Sequence, residues 1–170
     1  MDNIILLESQ DIPKDIVETP TDNLSKLFVV AQHMEKICSD KKGIGLSAVQ
    51  VGIPWKFFIY LDDKNNFNYM VNCEYKPLDE EKYVSIEGCL SIPGPEGSPR
   101  RFKVYRNSNV IVFGKKLILE DEGLKLVDFS RSFSKGLESA VFQHEIDHQN
   151  DILISDIGEE IFISNYYKLG

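Results

Sequence analysis

The chain of 170 residues, 42% hydrophobic and 27% charged, has the make-up of one ordinary globular domain, 1–170, able to bury roughly 70% of its unfolded surface. A net charge of −8 argues against nucleic-acid binding, which needs clustered Lys and Arg. No apolar run reaches membrane-spanning length, Met1-Asp2-Asn3 lacks a signal peptide's basic region, and cysteines 38, 73 and 89 make no disulfide framework, so a membrane partner is excluded and a reducing cytoplasm is expected.

In chain order, residues 1–20 read as extended, with Pro13 and Pro20 interrupting any helix. Thr21 or Asp22 can cap a helix running to about residue 39. Its stripe is Leu24, Leu27, Phe28, Ala31, Met34 and Cys38. Cys38 reads as core packing, and His33, off the stripe, as solvent-facing. Gly43 and Gly45 then offer two residues free to take positive φ. A β-rich middle follows, with strand composition at 55–61, 67–73, 102–106, 110–113, 117–120 and 124–129. Asn65-Asn66 and Asp121-Glu122-Gly123 supply turns, and Arg100-Arg101 and Lys115-Lys116 read as solvated strand ends. A second helix runs from 132 or 134 to 149. The tail after Asp156 is short and mixed, with Phe162, Tyr166 and Tyr167 able to pack back.

That second helix carries His144-Glu145-Ile146-Asp147-His148. Residues four apart share a helix face, so both imidazoles point at one spot, and Glu145 sits one residue round, able to reach a metal-bound water without ligating the metal. This is the HExxH arrangement of zincin-type hydrolases. Leu137, Val141, His144 and His148 form one stripe, so the metal face is expected to continue the buried face. A catalytic ion takes three protein ligands and keeps a position for water. Cys89, in Glu87-Gly88-Cys89-Leu90-Ser91-Ile92-Pro93, is a candidate third: Gly88 lets the backbone come close, and apolar neighbours shield a thiolate. The alternative for an isolated position is a buried structural cysteine.

Three segments together resemble one family. Gly43-Ile44-Gly45-Leu46-Ser47-Ala48-Val49-Gln50 resembles the GxGLAAxQ motif of peptide deformylases. Glu87-Gly88-Cys89-Leu90-Ser91 matches that family's EGCLS, and Gln143-His144-Glu145-Ile146-Asp147-His148 its QHExDH. They stand in the family's order, and compatible flanks extend the resemblance over most of residues 1–160. The strand-rich middle and two amphipathic helices predict an α+β fold, mainly antiparallel β-sheets around a central metal-binding HExxH helix, and the resemblance makes it deformylase-like.

The resemblance implies hydrolytic removal of the formyl group from the formyl-methionine of newly made polypeptides, releasing formate. N-formylmethionyl nascent peptides would be the partners. By matching, Cys89, His144 and His148 would be the metal ligands and Glu145 the general base and acid. Gln50 and the backbone N–H of Leu90 would be oxyanion donors. Ile44 and Gly45 would line the substrate cleft, Ile44 near the methionine pocket. Family members generally use Fe(II), with Ni, Co or Zn able to replace it. On the residues alone, Arg100 follows a short loop and can pair with Glu87 to hold the Cys89 segment against the cleft; the alternative is two solvated charges.

The chain departs from the family pattern in three places. Ser47 stands where Ala is usual, and Gln149-Asn150-Asp151 follows His148 where Leu-x-Gly is common. Many bacterial members carry a basic C-terminal helix that docks on the ribosome. Here Asp156, Glu159 and Glu160 face a single Lys168, so docking by that route is not expected. Two other readings compete. A zinc peptidase would need a third ligand after the helix, where no His follows His148 and Glu159 and Glu160 are the nearby acids. A non-catalytic binding module would not need Cys89, His144, Glu145, His148 and Gln50 all intact.

Overall fold

The computed structural model describes residues 4–162. Asn23, rather than Thr21 or Asp22, caps the first helix: its side chain accepts the Lys26 backbone N–H at 3.1 Å, and α1 runs Leu24–Asp40. Leu27, Ala31, Met34 and Cys38 are buried as their spacing requires, and His33 is exposed. The helix ends through Lys42, which takes the left-handed φ of 58° expected of a glycine, while the Gly43 N–H reaches back to the Cys38 carbonyl at 2.8 Å. Gly43 and Gly45 serve space instead. A Cβ at Gly43 would lie 2.8 Å from Leu90 Cδ1.

The strands are β1 (Gly45–Ser47), β2 (Phe57–Leu61), β3 (Phe67–Pro77), β4 (Lys82–Pro93), β5 (Pro99–Asn107), β6 (Asn109–Glu120), β7 (Gly123–Ser134) and β8 (Glu159–Ile161). They form a five-stranded sheet, β1-β2-β3-β6-β7, and a three-stranded sheet, β4-β5-β8. Every ladder is antiparallel, as the α+β reading expects. Segments 110–113 and 117–120 are halves of one strand, since the β6–β7 ladder runs unbroken from Asn109↔Ser134 to Glu120↔Gly123. Strand β4 has no counterpart in the sequence reading. Lys82, Ser85, Glu87 and Gly88 dilute its strand composition, and its long ladder with β5 decides it.

Residues 132–134 belong to β7, so α2 starts later, at Leu137–Gln149; a short α3 (Ile154–Ile157) follows. Phe142 anchors α2, its ring 4.6–5.9 Å from those of Tyr60, Phe133, Phe58 and Phe129, with Ile146 one turn on and buried. The core therefore takes the Phe142–Ile146 face. Leu137 is 71% exposed, and the stripe running to His144 faces an open cleft rather than the core. Strands β1 and β4 are each at the edge of their sheet, and the cleft, about 670 Å³, is lined from both and from α2.

Phe162 is 70% exposed and does not pack back; Tyr166, Tyr167 and Lys168 lie outside the described residues. Among the described residues, no helix is long and apolar enough to cross a membrane.

Candidate metal centre

Cys89 comes from an irregular stretch of β4. The ladder with β5 loses register between Gly88 and Pro93, which turns Cys89 and Leu90 out of regular pairing. Helix α2 brings the other two donors, with the rings of His144 and His148 4.6 Å apart. The donor atoms of Cys89, His144 and His148 all lie within 4.8 Å of one another, and Cys89 Sγ is 3.6 Å from His148 Nε2. Bonds of roughly 2.0–2.3 Å place tetrahedral ligand atoms about 3.3–3.7 Å apart; the Cys89–His148 separation falls in that range, and the three donors are close enough together to hold one metal ion.

The charges around it favour a cation as well. Burial opposes protonation of His144, yet Cys89, Glu87 and Glu145 together push its pKa well above the ordinary value. Those same groups favour a metal ion in place of the proton. Burial, then the His144 charge, keeps His148 neutral, the form that ligates. Nδ1 of His148 is buried and makes no well-formed hydrogen bond.

A buried ionic chain braces these donors from behind. Glu87 accepts from His144 Nδ1 at 2.8 Å, which leaves Nε2 for the metal. Arg106, not Arg100, pairs with Glu87, donating from Nε at 2.8 Å and Nη2 at 2.7 Å, and it also donates to Asp147 at 2.6 Å. Tyr75 Oη donates to the second oxygen of Asp147 at 2.8 Å. Burial works to raise the Glu87 pKa, but Arg106 and His144 outweigh it and hold it near 2. Arg100 bonds instead to Glu160 on β8. Arg106 was detectable in principle: Phe102, Val104 and Arg106 share the buried parity of β5, where a charge needs a partner.

The remaining site residues surround the open side. Glu145 is buried, which pushes its pKa up to about 7 against the opposing His144 charge and the Ser47 hydrogen bond. Its Oε2 lies 2.5 Å from where a Cβ on Gly45 would stand, so any larger residue there would displace the Glu145 carboxylate. Gln50 is fixed at both ends of its amide. Oε1 accepts the Ser47 N–H at 2.9 Å, while Nε2 donates to Ser91 Oγ at 3.0 Å and approaches Cys89 Sγ at 3.6 Å. The Leu7 N–H holds the Gln50 backbone carbonyl at 2.8 Å, tying the N-terminal segment to this turn. Ile44, Gly45 and Leu90 all line the cleft. Asp151, with φ 59°, takes the left-handed place of the family's glycine after α2, a conformation short polar side chains tolerate, and Gln149 donates to the Cys73 carbonyl at 3.1 Å.

Residues 8–160 match the polypeptide deformylase family. The chain belongs to that family. It is 31% identical over 159 residues to the peptide deformylase of Desulfosudis oleivorans, covering 89% of this chain and 84% of that one. It is 35% identical over 147 residues to that of Halothermothrix orenii, covering 83% and 86%. Among solved structures, the peptide deformylase of Thermotoga maritima aligns with a TM-score of 0.72 at 28% identity, over 91% of this chain and 96% of that one. That of Plasmodium falciparum gives 0.71 at 28%, over 97% and 90%. The family reaction is metal-dependent hydrolysis of the N-terminal formyl group of newly made polypeptides, with release of formate, and it is the activity of this chain.

Proposed function

We propose that Cys89, His144 and His148 hold one divalent ion, Fe(II) in the cell, with Glu145 as proton carrier and Gln50 and the Leu90 N–H as oxyanion donors. The observation that carries this reading is the convergence of one thiol and two imidazoles beside a buried carboxylate on the wall of a single cleft. A bound divalent ion supplies a water of lowered pKa and polarises the formyl oxygen. Glu145, with a pKa near 7, is poised to take the water's proton and return it to the departing amine. Gln50 has its Oε1 pinned, so the Nε2 proton facing Cys89 is already aimed into the site, where charge develops on the formyl oxygen.

Ile44, Ile86, Leu137 and Val141 line the cleft, and the first three are exposed. They form an apolar wall suited to the methionine side chain, with Gly45 leaving room for the peptide beside Glu145. The enzyme would work in the cytoplasm on nascent chains. A peptidase is disfavoured because Glu160 is engaged by Arg100.

The test is metal analysis of protein prepared without oxygen, together with formate release from formyl-Met-Ala-Ser. One equivalent of metal per chain and formate release are expected. A Cys89→Ala protein that keeps both would remove the thiolate from the site.

A further inference from the structure

The mouth of the cleft carries charge that hydrolysis at the metal does not use. Lys41, Lys42 and Arg101 line the same cleft as Glu145, and among the described residues none of the three is in an ion pair. The carboxylates of the cleft are Glu87 and Glu145; both are largely buried, and Glu87 is matched by Arg106. The solvent-facing charge of the cleft is therefore positive in a chain of net charge −8.

Two details place these cations deliberately. Lys42 occupies a left-handed backbone position, φ 58°, where Gly or Asn is usual, so a long cationic side chain stands where the backbone disfavours one. Arg101 lies over Gly88: a Cβ there would meet Arg101 Nη1 at 1.9 Å, so the bare α-carbon beside Cys89 makes room for the guanidinium. Gly45 touches Glu145 and Lys42 lies three residues before it, no more than about 11 Å along the chain. That distance is about three residues of an extended peptide.

We propose that this cationic mouth selects formyl-methionyl peptides with Asp or Glu at their second or third position. The inference rests on the deformylase reading of the site and names the substrates it prefers. A carboxylate near three cations is favoured and an ammonium is repelled, and the low-dielectric cleft wall strengthens both effects. Lys41 and Lys42 also sit at the C-terminus of α1, where cations favour the helix dipole. That role alters stability but not the choice between two peptides.

The test compares kcat/KM for formyl-Met-Ala-Glu with formyl-Met-Ala-Lys, and formyl-Met-Glu-Ala with formyl-Met-Lys-Ala, on the full chain loaded with metal without oxygen. The acidic peptide of at least one pair is expected to be favoured about tenfold at low salt, through KM. In 1 M KCl, where the Debye length is about 3 Å, the ratio should shrink to about twofold or less. The same order is expected for binding of these peptides to metal-free protein, followed by NMR titration. A Lys41→Gln/Lys42→Gly protein, with glycine suited to the backbone there, and an Arg101→Gln protein should each bring the ratio toward unity. Equal kcat/KM within both pairs overturns the proposal, and so does a ratio unchanged in both variants; a lowered Tm with that unchanged ratio leaves the lysines as helix caps only. If no formyl peptide is hydrolysed, the deformylase reading fails, and the binding order to metal-free protein still decides the charge preference.

Discussion

The hydroxyl of Ser47 on β1 is shared between two oxygens of Glu145 on α2: the backbone carbonyl at 3.0 Å and carboxylate Oε1 at 3.1 Å. Ser47 is thus the departure from the family's alanine that reaches the Glu145 carboxylate. It ties an edge strand to the helix turn that bears Glu145 and restrains that carboxylate with a hydrogen bond. Ser47→Ala should keep fold and metal and lower kcat by about tenfold, the order expected for one hydrogen bond to a charged group. KM should change little. Steady-state kinetics with parallel metal analysis check this.

Glu145→Gln should keep the metal and lose about 10²–10⁴ in turnover, since the water loses its proton acceptor. The same substitution tests the Glu145 pKa. A folded pKa near 7, above the ordinary 4.5, means that the folded chain holds a proton between those values and the unfolded chain does not. This group therefore costs stability progressively as pH rises from 4.5 to 7. In metal-free protein, Glu145→Gln should be the more stable form at pH 8, by on the order of 2 kcal/mol, and no more stable than its parent at pH 4. Urea unfolding at both pH values reads the difference.

Gln50→Ala removes a donor whose partner oxygen is held by the Ser47 N–H. A loss of about 10²–10³ in kcat is expected, the usual cost of one oxyanion donor. Near-parental turnover would take Gln50 out of the mechanism.

Arg106→Met leaves Glu87 and Asp147 facing each other in a buried site without their cation. Breaking one member of such a network costs about 3–5 kcal/mol. The loss should appear in urea unfolding at neutral pH. Below pH 4.5 it should shrink, because the Glu87 contribution, with a folded pKa near 2, fades as pH falls from 4.5 toward that value.

A thiolate and two imidazoles accept Fe(II), Ni(II), Co(II) or Zn(II), so ligand type alone does not choose among them. Fe, Ni and Zn forms prepared without oxygen and then exposed to air should diverge. The iron form should lose activity first, through oxidation of iron or of the Cys89 sulfur. Equal decay of all three would point away from metal-centred oxidation.

Much of the site was legible locally. His144 and His148 declare themselves by a four-residue spacing that any α-helix turns into one face, and Glu145 follows from the same geometry. Cys89 and Gln50 came from short motifs whose chemistry suits the reaction. The helices and most strands followed from periodicity, because burial of one face repeats every turn or every second residue. The C-termini of α1 and α2 were less legible. Lys42 and Asp151 hold left-handed positions that composition assigns to glycine, so the residue type misleads there.

What the sequence determined by itself is the set of candidate donors and the candidate base, since the spacing within α2 and the chemistry of a thiol, imidazoles and a carboxylate are local properties. Tertiary structure alone decided which face of α2 meets the core and what braces the ligands. Phe142 and Ile146 won the interior because an aromatic cluster from β2 and β7 gathers there, leaving Leu137 and Val141 to the cleft. Arg106 reached Glu87 and Asp147 across 19 and 41 residues. A buried charge takes whichever partner the packed strands bring within hydrogen-bonding distance, and separation along the chain carries no record of that choice.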